Sequence, residues 1–139
     1  MVVITRFTSR RRATYSTIAS YLELAAPGGD FLRGGATGGI VQQTLDLDRV
    51  ETFTLPVSRY TAPRFDLFAD YYFEGTSMAT AHVSGLAALL MSQGLTNPAA
   101  IEAILEQSAT DLGAAGRDNE YGYGLINARA ALRGMGIAR

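Results

Sequence analysis

The stretch from Thr76 to Gln93 constrains this chain more than any other. Read at helical spacing, Met78, Val83, Leu86, Ala87, Leu89, Leu90 and Met91 leave almost no polar face, and Gly94 follows as a C-terminal stop. A helix that is apolar nearly all round has to be covered on every side. Its most apolar part, Val83 to Met91, is far shorter than the ~20 residues that span a bilayer, so the cover must be protein and no membrane partner is expected. A second helix is predicted after it, with Asn97 as N-cap, Pro98 at the first helical position and Ile101, Ile104, Leu105 and Leu112 on one face. A third, short helix is predicted after Asn127, through Ala128, Ala130, Ala131 and Leu132 before Gly134.

The segments before Thr76 supply little of that cover. Met1 to Thr5 and Tyr21 to Ala26 are short apolar runs that read as buried strands, the second halted by Ala26-Pro27-Gly28-Gly29-Asp30. Residues 31–73 read as a long excursion. Gly34-Gly35 and Gly38-Gly39 punctuate its start, Pro56 and Pro63 interrupt it, and Glu51 to Val57 alternates like one strand of a hairpin. This order predicts a layered α/β domain. A parallel sheet needs helices on both faces, and two or three strands make too thin a sheet to enclose the Thr76–Gln93 helix. The chain therefore reads as part of a larger core, without internal repeats.

Gly75-Thr76-Ser77-Met78-Ala79-Thr80 places a serine on the first turn of that helix, behind a glycine that permits close backbone approach. The unpaired N–H groups and partial positive charge there can stabilise the oxyanion formed when a serine attacks a carbonyl. On position alone, an N-cap role for Thr76 or Ser77 is the plainer explanation. The wider string decides otherwise. Residues 75–85, Gly-Thr-Ser-Met-Ala-Thr-Ala-His-Val-Ser-Gly, resemble the serine motif of the subtilisin-like protease family, G-T-S-M-A-[ST]-P-H-V-[AS]-G, at every position but Ala81. Tyr15-Ser16 followed by Leu24-Ala25-Ala26-Pro27-Gly28 resembles the family's strand and turn before that motif. Gly122-Tyr123-Gly124-Leu125-Ile126-Asn127-Ala128 resembles its closing G-x-G-x-[IV]-N-A segment.

The resemblance implies a partial subtilisin-like three-layer α/β fold, a parallel sheet flanked by helices with its N-terminal half absent. Residues 1–139 would be the C-terminal part of the peptidase domain, with a long insertion at about 31–73. It implies a serine endopeptidase in which Ser77 attacks the peptide carbonyl and forms an acyl-enzyme, its own N–H contributing to the oxyanion hole. Gly75 and Thr76 would shape the turn, while Ala79, Ala87, Ala88 and Met78 read as helix packing. The implied substrate is a polypeptide, bound once an N-terminal half completes the site. The alternative is a degenerate, non-catalytic protease fragment acting as a binding module.

A serine hydroxyl needs a base within roughly 2.6–3.2 Å. The one histidine, His82, lies five positions on, about 140° round the helix and about 7.5 Å along it, and reads as a structural residue in the helix packing. No cysteine or second histidine accompanies it as a metal ligand. The family's aspartate motif, D-[ST]-G, and histidine motif, H-G-[TH], do not occur here, and the asparagines Asn97, Asn119 and Asn127 all follow Ser77. Asp30, Asp46, Asp48, Asp66 and Asp70 precede it but read as solvated loop charges. The chain alone is expected to be inactive. Alanine at position 81, where the motif has proline, removes a fixed backbone angle just beneath Ser77.

Charge excludes some partners. Twelve arginines against 13 acidic residues give a net charge of −1, which offers nucleic acid no electrostatic footprint, and Arg10-Arg11-Arg12 reads as a solvated turn. Without cysteine there is no disulfide framework. Met1 to Arg12 lacks the apolar run of a secretory signal, although secretion is what the resemblance implies for a complete member. No cofactor is expected; calcium is frequent in that family, but no aspartate-rich loop here has its ligand spacing.

Overall fold

The computed structural model describes residues 2–4, 10–46 and 66–134. Both early apolar runs contain strands, shorter than the runs themselves. β1 (Val2–Ile4) pairs in parallel with β2 (Ala25–Pro27), Val2 opposite Ala25 and Ile4 opposite Pro27. Ala25 has a second neighbour on its other side. Its N–H donates to the Gly124 carbonyl at 2.8 Å and its carbonyl accepts from Ile126 N at 2.9 Å, so the closing segment joins the sheet in parallel at Leu125. Proline at the end of β2, lacking an N–H, stops the ladder there.

Beyond Pro27 the chain turns into α1 (Phe31–Gly34), capped by Asp30, and a single 3₁₀ turn at Gly35–Thr37. The ends of the 31–73 stretch then pair as an antiparallel ribbon, β3 (Ile40–Leu45) against β4 (Phe68–Phe73), with Ile40 opposite Phe73 and Leu45 opposite Phe68. This ribbon uses other residues than the strand expected from alternation. The alternating run Glu51–Val57, like Asp48, lies outside the described residues.

The long helix α2 covers Thr76–Ser92. Its C-terminus is a Schellman motif: Gly94 (φ 94°) donates to Met91 O at 3.0 Å and Leu95 to Leu90 O at 3.3 Å, and Leu95 packs back against the core. Asn97 caps α3 (Pro98–Ser108) by accepting from Ala99 N and Ala100 N, with proline in the first turn. The helix ends sooner than its apolar pattern. Thr110 exchanges both backbone hydrogen bonds with Leu125 at 2.8 Å, which pulls the backbone out of the helix, so Leu112 packs instead beside Leu22 and Leu125. α4 (Ala128–Gly134) starts where expected, with Asn127 Oδ1 accepting from Ala130 N.

The core forms where α2, α3 and α4 meet Leu24: Leu86, Leu90, Ile101, Leu105 and Ala131 are buried together. A fully buried leucine such as Leu90 contributes about 2 kcal/mol by its removal from water. A tighter contact of small side chains, Ala13, Ala26 and Ala79, seats the first turn of α2 on β2. The apolar surface of α2 is only partly used. Leu89 is 48% and Met91 54% exposed, and Ala88 also faces outward. The sequence called for cover all round, and the described residues supply it on one side.

Candidate active site

Ser77 is the second residue of α2 and is exposed. The plainer explanation for Thr76 and Ser77 does not hold, because the N-cap is Gly75 and no side chain caps the helix. No described residue hydrogen-bonds the Ser77 hydroxyl. Gly75 adopts φ 154°, ψ 163°, a backbone conformation that L side chains rarely take, and this turns an extended strand into a helix within one residue. The Gly75 carbonyl accepts from Met78 N and Ala79 N, while the Ser77 N–H belongs to the unpaired first turn and points out of the helix start. The serine oxygen and this N–H thus lie at the positive end of a 17-residue dipole, where charge developing on a carbonyl oxygen is stabilised.

His82 is on the same helix and is not brought to Ser77. It is exposed, whereas packing within the core was expected, because nothing described covers that side of α2. Its Nδ1 lies 2.8 Å from the Met78 carbonyl. A carbonyl only accepts, so Nδ1 carries the proton and the ring is tied back along its own helix. The Thr80 hydroxyl likewise donates to Thr76 O at 2.9 Å. The helix runs unbroken through Ala81.

Asp30 corrects the expectation of solvated aspartates. It is 0% exposed and accepts from Thr14 N at 2.8 Å, Thr14 Oγ1 at 3.3 Å and Arg33 N at 3.1 Å, with Arg33 Nε 3.9 Å away. It is buried because it is fully used as a cap and a cross-link. Asp46 accepts from the Tyr71 hydroxyl at 2.9 Å, and Asp66 and Asp70 are exposed. Of the arginine cluster, Arg10 and Arg11 are exposed as expected and Arg12 is half-buried against Ser16.

Two residues that sequence reasoning assigned no role in the site brace the turn before Ser77. The Glu74 carboxylate accepts from Phe31 N, and the Tyr15 hydroxyl lies 3.0 Å from Gly28 O and 2.7 Å from Gly29 O. Gly75 N donates to Gly28 O at 2.8 Å, so the same turn holds the glycine in front of the serine. Tyr15 stood in a family landmark and was findable; nothing in the sequence marks Glu74. Burial, then the charge of Glu74, push the Tyr15 phenol from 10.0 up to about 12, with Asp30 adding and the Gly75 backbone opposing. A pKa raised in the folded state means the fold holds the proton more tightly. The corresponding stability is fully present below pH ~10 and is lost as pH rises from about 10 to about 12. Urea midpoints followed across that range should fall less steeply for Tyr15→Phe than for the parent chain; parallel curves would show the phenol to be uncoupled from folding.

Beside the exposed side of α2 runs a groove of about 830 Å³, lined by Pro27, Ile40, His82, Leu86, Leu89 and Ile126 among others. Among the described residues, the group with metal-ligand spacing is Glu23, Glu102 and Glu106, whose ligand atoms lie within 4.8 Å of one another. The Glu106 carboxyl is raised first by burial and then by the charges of Glu102 and Glu23. Two of the three are exposed, and the cluster is assigned no ligand.

The Subtilase family profile matches residues 1–124. The chain belongs to the subtilase family. Subtilases are serine proteases, and the match spans the Ser77 motif and the Tyr15–Gly28 landmark and ends at Gly124, within the closing one. Subtilisin NAT of Bacillus subtilis subsp. natto is 36% identical over 124 residues, 88% of this chain and 24% of that protein. An extracellular serine protease of Serratia marcescens is 48% identical over 61 residues, 43% of this chain and 6% of the relative. The solved structure of a protease from Pseudoalteromonas arctica PAMC 21717 superposes with a TM-score of 0.69 at 27% identity, covering 95% of this chain and 34% of that one. The fold is therefore a partial subtilisin-like α/β fold, and the chain spans well under two-thirds of these relatives. Among the described residues no helix is long and apolar enough to cross a membrane.

Proposed function

We propose that this subtilase chain is the serine-bearing, C-terminal part of an endopeptidase domain, with Ser77 as its nucleophile and residues 31–73 as an insertion carried on the ribbon. The observation that carries this reading is the uncommitted Ser77 hydroxyl at an exposed helix start, where neither Thr76 nor Ser77 serves as the cap. In the completed site a base removes the hydroxyl proton as Oγ bonds to the peptide carbonyl carbon. The oxyanion gathers charge beside the Ser77 N–H, and the C–N bond breaks as the proton passes to the leaving amine. Water then releases the acyl group. His82 is not that base, since the Nδ1 contact with Met78 O ties its ring back along its own helix and position 82 lies about 140° round the helix from Ser77.

The base and its acid are supplied by the part of the domain that covers the α2 groove, where the exposed Leu89 awaits an apolar partner. Alone, the chain hydrolyses nothing above background. The substrate is a polypeptide, and the complete protein is secreted, in keeping with the extracellular relative. No cofactor takes part in these steps. To test this, residues 1–139 are mixed with the N-terminal part of a subtilase domain and exposed to a serine-directed fluorophosphonate. Labelling of Ser77 in the mixture, and none with the chain alone, is expected. A stable complex that never labels would make the chain a binding module instead.

A further inference from the structure

The register of the β3–β4 ribbon sorts its side chains onto two faces. One carries Ile40, Gln42, Thr44, Ala69, Tyr71 and Phe73; Ile40 lines the α2 groove, and the Tyr71 and Phe73 rings meet tilted by 50° with their centres 6.4 Å apart. The other carries three cross-strand pairs in order: Val41 with Tyr72, Gln43 with Asp70, Leu45 with Phe68. Val41 is 56%, Tyr72 46% and Phe68 60% exposed. This second face lies opposite the one whose Ile40 lines the α2 groove. Apolar side chains held in water on a braced surface mark a place of contact.

The occupant follows from the ribbon's continuity with Ser77. β4 passes through Glu74 and Gly75 directly into the serine turn. A polypeptide lying along the ribbon in extended form therefore runs toward the turn that carries the serine. At about 3.4 Å per residue, the two apolar pairs are about 13.5 Å apart, the spacing of residues i and i+4 of an extended chain. Residue i+2 then falls over Gln43 and the Asp70 carboxylate, which no described residue pairs with.

We infer that the outward face of this ribbon binds the polypeptide substrate at a distance from the scissile bond, selecting an extended segment with apolar residues at i and i+4 and a basic residue at i+2. The inference rests on the reading of the chain as part of a peptidase and names the substrate class it takes. Alternation every second residue gives specificity in strand-like recognition, and an uncompensated carboxylate between two apolar contacts adds charge selection.

The test reads binding, so it does not depend on a competent Ser77. Two fluorescein-labelled peptides of equal composition are titrated onto residues 1–139 by anisotropy, one with the core Leu-Ser-Arg-Ser-Phe and one with Ser-Leu-Arg-Phe-Ser. The first should bind at least about tenfold more tightly, and Val41→Ser with Phe68→Ser should remove that difference. Asp70→Lys, which keeps the exposed face and the fold, should invert the preference to a peptide with glutamate at the centre. Leu89→Ser, in the α2 groove, should change nothing. Equal affinity for the two peptides, or an unchanged preference in the ribbon variants, would overturn the inference. So would sedimentation showing a dimer that dissociates in the Val41→Ser, Phe68→Ser variant, since the face would then be covered by a second copy. Peptide binding to the chain, with no fluorophosphonate labelling once an N-terminal subtilase part is added, would sink the nucleophile assignment and leave the ribbon's role standing; the reverse result would do the opposite.

Discussion

Ser77→Ala, introduced into the chain after an N-terminal subtilase part has completed it, is expected to lower kcat by about 10⁶-fold, the scale reported for removing the nucleophile of subtilisin itself. The reason is covalent. Without Oγ there is no acyl-enzyme, and the base and oxyanion donors are left to assist water alone, which retains about 10³–10⁴-fold over the uncatalysed reaction. KM should change little, because the hydroxyl touches the reacting carbon and not the rest of the peptide. Steady-state rates and the burst of an activated ester, compared for parent and variant at equal complex concentration, give the answer. A variant retaining even a hundredth of the parent rate would show that the nucleophile lies elsewhere. The expected split, kcat lost and KM kept, also separates a missing nucleophile from a disturbed fold, which would move both.

The largest effect on stability is expected from Gly124→Ala. Gly124 sits at φ 113°, and a Cβ there falls inside the van der Waals envelope of the Thr110 carbonyl, 2.9 Å from Asp111 Cα. All of these are backbone atoms, so no side chain can swing aside. The position is also the hinge of the sheet: the Gly124 carbonyl accepts from Ala25 N, and its neighbour Leu125 is paired to Thr110. Left-handed strain and overpacking together should cost about 3–5 kcal/mol. At roughly 4 °C per kcal/mol for a chain of this size, Tm should fall by about 12–20 °C. Gly134→Ala is the matched control, since nothing lies within 4 Å of its Cβ and its residue is helical. It should leave Tm unchanged or raise it. Similar melting of the two variants by circular dichroism would mean that the Gly124 turn is not under the steric demand described.

Much of this was legible because it depends on local chemistry. Asn97-Pro98 announces a helix start from cap geometry alone, and Gly94 a helix end, and both stand where expected. The G-T-S-M-A string locates the serine because it requires a glycine conformation, a helix start and a small residue, Ala79, against β2. What stayed hidden was set by partners distant in sequence. Leu112 fits the helical pattern of α3, yet Thr110 is claimed by Leu125 from across the chain. Asp30 looks like a loop charge because its partner Thr14 lies 16 residues earlier, and no periodicity links them. Glu74 meets Phe31 N across 43 residues. His82 reads as a packing residue because it cannot reach Ser77, yet it is exposed, since an apolar pattern reports the cover the helix needs and not the cover these residues provide.

The burial of Asp30 bears on how the region ahead of the serine takes shape. A carboxylate removed from water with only some of its donors in place costs several kcal/mol more than one left solvated. Thr14, the cap at Arg33 N and the Arg33 side chain belong to segments on either side of β2. Half-docked arrangements of these segments are therefore less stable than either extreme, and the turn that carries Gly28 and Gly29 closes as one cooperative unit. Since Tyr15 and Gly75 both bond to that turn, the serine's approach is either assembled or open, with few states between.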